Sequence, residues 1–330
     1  MIIKYILLLS LCVGIACSPS NKKEIGTIER LDPALDSILS QDAIVEILAE
    51  GFEWSEGPLW VESKKMLLFS DVPKNTIYKW TEKNGVEVYL TPSGFTGDST
   101  TSAEPGSNGL LLDDEENLVL CQHGDRRLAM MNTSLDQPAA DFTTLADRYA
   151  EKRFNSPNDA VFYNYSFYFT DPPYGLPKQM DDSTKELPFQ GVFVVNADGK
   201  VSLITDSLTR PNGLAFLPDT KTLIVANSDP GKAVWYAFDL TESDSVANAR
   251  IFYDATANAK TEIGLPDGLK IERRGNIFAT GPGGVWIFNS TGKVLGKIKI
   301  PVPTSNCALS EDEKTLYITA DMYILRVRLR

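Results

Sequence analysis

Histidine is almost missing from this chain of 330 residues, with His123 standing alone. A multi-histidine metal centre is thereby excluded. One imidazole also leaves little room for a serine triad, and no Gly-x-Ser-x-Gly elbow occurs. Cysteine is scarce too. Among Cys12, Cys17, Cys121 and Cys307 no pair has CxxC spacing, which argues against structural zinc. Cys121 and Cys307 fall in or beside strand-like runs and are expected as buried, reduced thiols. A disulfide between them would need Cα atoms within about 7 Å. Basic charge is outnumbered, 32 Lys and Arg against 44 Asp and Glu, for a net charge of −12. Nucleic acid, whose phosphates need a basic surface, is therefore not an expected partner. No phosphate-binding loop appears, so no nucleotide cofactor is expected. Long amphipathic helices are absent as well.

What is present begins with a leader. Lys4 supplies a positive end, and Ile6 to Ile15 an apolar core too short to span a bilayer. Gly14-Ile15-Ala16-Cys17 resembles a bacterial lipobox, although the first of these positions is usually leucine. Residues 1–16 read as a lipoprotein signal peptide, Cys17 as the lipidated residue, 17–41 as a polar tether and 42–330 as the folded domain. The expected location is the cell envelope, on the periplasmic or outer-membrane side, with the membrane reached only through the lipid at Cys17. Plain secretion is the alternative.

The folded part is organised by six phrases: Glu56-Gly57-Pro58, Asn108-Gly109, Asn158-Asp159, Asn212-Gly213, Asp267-Gly268 and Asn306-Cys307. They are 52, 50, 54, 55 and 39 residues apart. Each opens the same order: a short apolar run, a polar turn, and further runs rich in β-branched and aromatic residues, as in Leu223-Ile-Val-Ala226 or Leu316-Tyr-Ile-Thr319. Each unit reads as a four-stranded antiparallel meander. Such units bury their faces only by packing around an axis, so the expected fold is all-β, a six-bladed β-propeller. The sixth unit reaches Arg330 after three strands. Ala43–Ala49 has no partner near it in sequence and is expected to pair as the outer strand of the last blade, closing the ring and covering two open edges. An independent N-terminal helix over Gln41–Glu50 is the alternative. Three longer segments, 91–107, 147–157 and 172–189, interrupt the pattern and are expected to frame one mouth of the channel.

In a propeller the phrase residues sit near one opening of the central channel. Glu56, Asn108, Asn158, Asn212, Asp267 and Asn306 would form a ring of carboxylate and amide oxygens there. That donor set suits a hard cation, and calcium fits it best, with Mg2+ or Mn2+ possible and Zn2+ less favoured. The competing explanation is that Asn-Gly and Asp-Gly only mark tight turns. Recurrence at one place in the repeat speaks against it, as does Glu56, because glutamate is not a turn residue. Asp171 and Tyr174, in a rigid Pro-rich turn, suit substrate walling at the mouth. Trp54, Trp60, Trp235 and Trp286 read as sheet-packing aromatics rather than sugar platforms.

Five motifs resemble the gluconolactonase and luciferin-regenerating-enzyme family of six-bladed propellers. They are Glu56-Gly-Pro-Leu-Trp60, Arg153-Phe-Asn-Ser-Pro-Asn-Asp159, Tyr168-Phe-Thr-Asp-Pro-Pro-Tyr-Gly175, Arg210-Pro-Asn-Gly213 and Pro266-Asp-Gly268. The resemblance runs from about Ile47 to Arg330. It implies one divalent cation in the channel, held by Glu56, Asn158, Asn212 and Asp267, with Asn158 as a further ligand or a substrate contact. It makes Asp267 the favoured general base as well. Gln122-His123-Gly124 and Arg126-Arg127 are similar to a segment that places residues near the substrate in the gluconolactonase branch.

The implied activity is metal-dependent opening of a sugar lactone by a monomer. The cation polarises the carbonyl, Asp267 takes a proton from water, and His123 or a nearby arginine orients hydroxyls or donates to the leaving oxygen. Asp267 and His123 are the catalytic candidates. Asn158, Arg126, Asp171, Tyr174 and Asn108 are the substrate-binding ones. The alternative is a calcium-stabilised sugar-binding lipoprotein without turnover.

Overall fold

The computed structural model describes residues 23–218 and 220–330, so the leader and Cys17 lie outside the described residues. Strands follow one another in antiparallel order through six sheets arranged about a channel. Blade one carries Ser55–Val61, Met66–Asp71, Thr76–Thr81 and Gly85–Leu90. The inner strands of the next five blades are Ser107–Leu112, Ala160–Tyr163, Pro211–Phe216, Leu269–Ile271 and Asn306–Leu309. This is the expected six-bladed propeller. The second strands are buried along their whole length in blades one, two, five and six. Both of their faces meet neighbouring blades, which is why they read as unbroken apolar runs rather than alternating ones.

The ring closes as the sequence implies. Glu46–Glu50 pairs antiparallel with Tyr323–Arg328, making the fourth strand of blade six from the N-terminal end of the chain. The alternative helix over Gln41–Glu50 does not form. Arg326, only 4% exposed, ties this closure to blade one: its guanidinium donates to Glu46 at 3.0 Å and to Glu82 at 2.6 Å.

Residues 23–41 depart from the tether expected over 17–41. Thr27–Arg30 adds a fifth strand to blade five, pairing with Val294–Lys299, and Pro33–Ser37 forms a short 3-10 helix capped by Asp32. Leu35, Ile38 and Leu39 are fully buried between blades five and six, against Phe278, Ile298, Leu316 and Val327. Each such side chain contributes roughly 2 kcal/mol by burial. The segment is thus a strap over the outer seam of two blades. Its strand, Thr-Ile-Glu-Arg, holds one apolar residue, which left too little pattern to read.

Aromatic side chains fill the seams between blades. Trp60 stacks on Tyr317 at 5.0 Å, and Trp235 packs at 5.8 Å from Trp286. Cys121 and Cys307 are buried free thiols, as expected.

Candidate active site at one end of the channel

The phrase dipeptides sit where the inner strands begin, and the backbone there is distorted in a repeated way. Pairing with the second strand skips from Glu56 to Leu59, from Ser107 to Leu110 and from Pro211 to Leu214. A bulge of this kind takes two residues out of the ladder and re-aims their side chains. Adjacent phrases also touch. A Cβ on Gly213 would overlap the carbonyl of Asp267, and one on Gly268 would overlap the side chain of Asn306. At Gly213 and Gly268 a glycine follows the ring residue because the inner strands approach so closely that no side chain fits. The recurrence therefore has a packing cause distinct from turn formation.

Five ring residues, Glu56, Asn108, Asn158, Asn212 and Asp267, line one cavity of about 470 Å³. All five ring side chains named here except Asp267 are at most 4% exposed, and Asp267 carries an oxygen sealed from solvent. The sixth, Asn306, does not reach the wall. Its Oδ1 accepts from the Cys307 amide at 2.9 Å, and its Nδ2 donates to Asp159 at 3.2 Å and toward Glu56. Asn306 thus braces two acids from behind. Asp159 is itself buried and also accepts from the Ala160 amide.

Negative charge is concentrated here, with several carboxyl groups and one arginine, Arg210, on the wall. Burial is the main force raising the Asp267 carboxyl well above the usual range, and the negative charges of Glu56, Asp159 and Glu104 add to it. Burial likewise lifts Glu56, although the Gly57 amide donating to Oε2 at 3.0 Å favours its ionised form. Asp267 Oδ1, Asn158 Oδ1 and Asn108 Oδ1 are buried with no hydrogen-bond partner. Buried oxygens left unpaired cost about 1–3 kcal/mol each, and a cation or a substrate hydroxyl satisfies them. Carboxylate and amide oxygens with no thiol or imidazole facing the cavity fit a hard divalent cation. Among the described residues no three His, Cys, Asp or Glu side chains converge as metal ligands, so such an ion would depend on the asparagine oxygens.

His123 is not on the wall. It is wholly enclosed behind Asn158, whose Nδ2 donates to His123 Nε2 at 3.3 Å. Burial pushes its pKa down to about 3, so the ring is neutral and its proton lies on Nδ1. The imidazole thereby fixes the Asn158 amide with Nδ2 turned inward and Oδ1 left free. The structure thus places His123, expected as catalytic, behind Asn158 rather than on the wall. Arg126 is also a strut. Its guanidinium donates to the carbonyls of Phe154 at 2.7 Å and Thr184 at 3.0 Å, holding two mouth segments together. Asp171, fully buried, accepts from the amides of Asn155 and Ser156, each at 2.8 Å. It shapes the segment leading to Asn158 and does not meet the cavity. Tyr174 does line it, with burial pushing the phenol above its usual range and Ser228 as hydrogen-bond partner.

Among the wall residues not expected from the sequence are Glu104, Arg210, Glu262 and Trp54, the last expected to be packing alone. Arg210 is the single basic side chain on the wall among the described residues, and it opens the Arg210-Pro-Asn-Gly213 motif that also carries Asn212. Glu104 and Glu262 lie in connections with no counterpart in the repeat, so no spacing signalled them.

Comparison with known proteins places this geometry. The family model described as SMP-30/Gluconolactonase/LRE-like region matches residues 54–321. A gluconolactonase of Zymomonas mobilis is 38% identical over 321 residues, covering 94% of this chain and 88% of the relative. The solved structure of a gluconolactonase from Xanthomonas campestris superposes with a TM-score of 0.80 at 31% identity, covering 95% of this chain and 99% of that one. A calcium-binding protein, regucalcin, from Agrobacterium tumefaciens shares the fold with a TM-score of 0.66 at 15% identity, over 86% and 93% of the two chains.

Proposed function

The chain belongs to the SMP-30/gluconolactonase/LRE-like family, and from that premise we propose that it hydrolyses a sugar lactone of the gluconolactone type in the polar cavity. The observation that carries the reading is the set of buried, unpartnered oxygens of Asp267, Asn158 and Asn108 on the wall of one enclosed space. Glu56, Asn158, Asn212 and Asp267 would hold a divalent cation, with calcium favoured by the oxygen-only donor set over Mg2+, Mn2+ and Zn2+. Bound there, the cation would supply Lewis-acid stabilisation of the charge that develops on the lactone carbonyl oxygen.

The side chains supply the rest. Asp267 accepts the proton of the attacking water, and burial strengthens it as a base by raising its affinity for that proton. Tyr174 stays protonated and, with Arg210 and Asn108, presents donors to the sugar hydroxyls and ring. Trp54 offers an apolar wall to the carbon face of the sugar. His123 keeps Asn158 in the useful orientation. The leader reading extends the proposal to a lipid anchor at Cys17 and a place in the cell envelope.

Acid release from gluconolactone, followed at constant pH with and without a chelator, tests the reading. Turnover that chelation removes and calcium restores supports it. A protein that binds the sugar yet releases no acid with calcium, zinc or manganese is a binding protein, and the lactonase reading falls.

A further inference from the structure

Opening a lactone needs a second proton transfer. When the tetrahedral intermediate collapses, the ring carbon–oxygen bond breaks with its electron pair on the ring oxygen. A sugar alkoxide is a poor leaving group unless it is protonated as it departs. Asp267 has by then taken the water's proton, and either it or a second carboxyl on the same wall can deliver a proton to that oxygen.

Among the described residues four carboxyl groups face the cavity: Glu56, Glu104, Glu262 and Asp267. Three of them are committed. Glu56 and Asp267 belong to the oxygen ring and receive the amides of Gly57 and Gly268. Glu262 is paired with Lys299 at 2.6 Å and Lys297 at 3.1 Å. Burial opposes its ionisation, but the two lysines outweigh burial and hold it below the usual range. Glu104 differs. Among the described residues no amide or side chain donates a hydrogen bond to its carboxyl, and the neutral His123 ring stands with Nδ1 3.7 Å from Oε2.

Its backbone is nevertheless fixed. The Glu104 amide donates to Ser102 Oγ at 3.1 Å, Gly124 donates to the Pro105 carbonyl at 3.2 Å, and Gly106 donates to the Val72 carbonyl at 2.9 Å. A rigid segment therefore delivers an uncommitted carboxyl, 32% accessible, to the cavity that holds Asp267.

We propose that Glu104 is the general acid that protonates the departing ring oxygen, an inference that rests on the lactonase reading above. Water adds to the carbonyl carbon as its proton passes to Asp267. The ring bond then breaks and the ring oxygen takes the Glu104 proton to become a hydroxyl. The product is the hydroxy acid, and the proton on Asp267 returns to Glu104 through solvent, so lactone and water account for every atom. Burial raises the Glu104 carboxyl to about 7, which keeps a protonated fraction near neutrality. The charged and titratable groups facing it are Glu56 and Asp267 across the cavity, with His123, Tyr174 and Arg210.

The test compares gluconolactone with the thiolactone of the same sugar, whose thiolate leaves without protonation. Glu104→Gln is expected to lower kcat on the lactone by about 10²–10⁴-fold and on the thiolactone by less than about tenfold. Glu104→Asp, which keeps an acid, should recover part of the lactone rate. Equal losses on both substrates, or no loss on the lactone, overturn the assignment and leave the lactonase reading standing. A wild-type protein that opens neither substrate overturns both.

Discussion

The channel has two ends, and each opens into a cavity of similar size, about 470 Å³ at the phrase end and about 540 Å³ at the other. The same inner strands build both. At the far end the wall is Leu59, Leu110, Leu112, Phe162 and Ile271, with acids at the rim of which Asp113 and Glu313 are already occupied. Asp113 there accepts the amides of Glu115 and Asn117, and Glu313 accepts the amide of Arg273, so these carboxylates shape turns. At the phrase end Asp267 Oδ1, Asn158 Oδ1 and Asn108 Oδ1 have no partner. Volume therefore does not distinguish a reactive cavity from an inert one, and neither does the number of acids near it. The difference lies in whether the backbone has already satisfied the polar atoms.

Asp267→Asn is the sharpest way to break the comparison. It should lower kcat by about a thousandfold or more, read by steady-state rates, while leaving the fold intact by circular dichroism. Retained turnover would mean that the phrase end does no more chemistry than the far end.

The next effect concerns buried charge. The Asp171 carboxyl is raised to about 7, with burial as the main cause, against 3.8 for the unperturbed group. Between these values the folded protein keeps a proton that the unfolded chain releases. The contribution of Asp171 to stability is therefore full below about pH 4 and is lost as pH rises through 7, by up to roughly 4 kcal/mol. Urea unfolding of wild type and Asp171→Asn at pH 4 and pH 8 isolates this slope. A difference between the two proteins that does not change with pH would remove it.

At the apolar end, Leu110→Ala should cost about 3 kcal/mol of stability through the cavity it leaves, with kcat changed less than about twofold. A large loss of rate with little loss of stability would erase the functional asymmetry between the two ends.

The smallest expected effect is that of His123→Phe. Freed from its acceptor, the Asn158 amide can turn, and calcium affinity measured by titration calorimetry should fall about tenfold, as for other groups that orient a ligand. His123→Gln, which restores an acceptor, should recover part of it. An unchanged affinity would show that Asn158 needs no support.

The propeller and its ring were legible because both repeat. The first five phrases return at nearly constant spacing, and each second strand carries a short apolar run. His123, Arg126 and Asp171 lie off the wall for one shared reason: each is directed to a carbonyl, an amide or a neighbouring side chain behind it. Patterns in a sequence show which residues are near one another, but not which way a short side chain turns at the end of a strand. Glu104 was hidden because it occurs once, in a connection the repeat does not template. The strap over blades five and six was hidden because its anchors, Leu35, Ile38 and Leu39, follow no strand period.

The closing of blade six by Glu46–Glu50 has a consequence for how the molecule forms. Residues 46 and 326 pair across a separation of 280 positions, so the final seam cannot be made until Tyr323–Arg328 has been synthesised. Bringing together ends so far apart costs chain entropy before any contact rewards it. The blades between them can assemble from local hairpins, and joining the ring is the slow, late event. Until it happens, the last blade keeps an open edge able to pair with another molecule's strand. Once it has happened, both ends of the fold are held in one sheet, and neither can fray without unzipping the other.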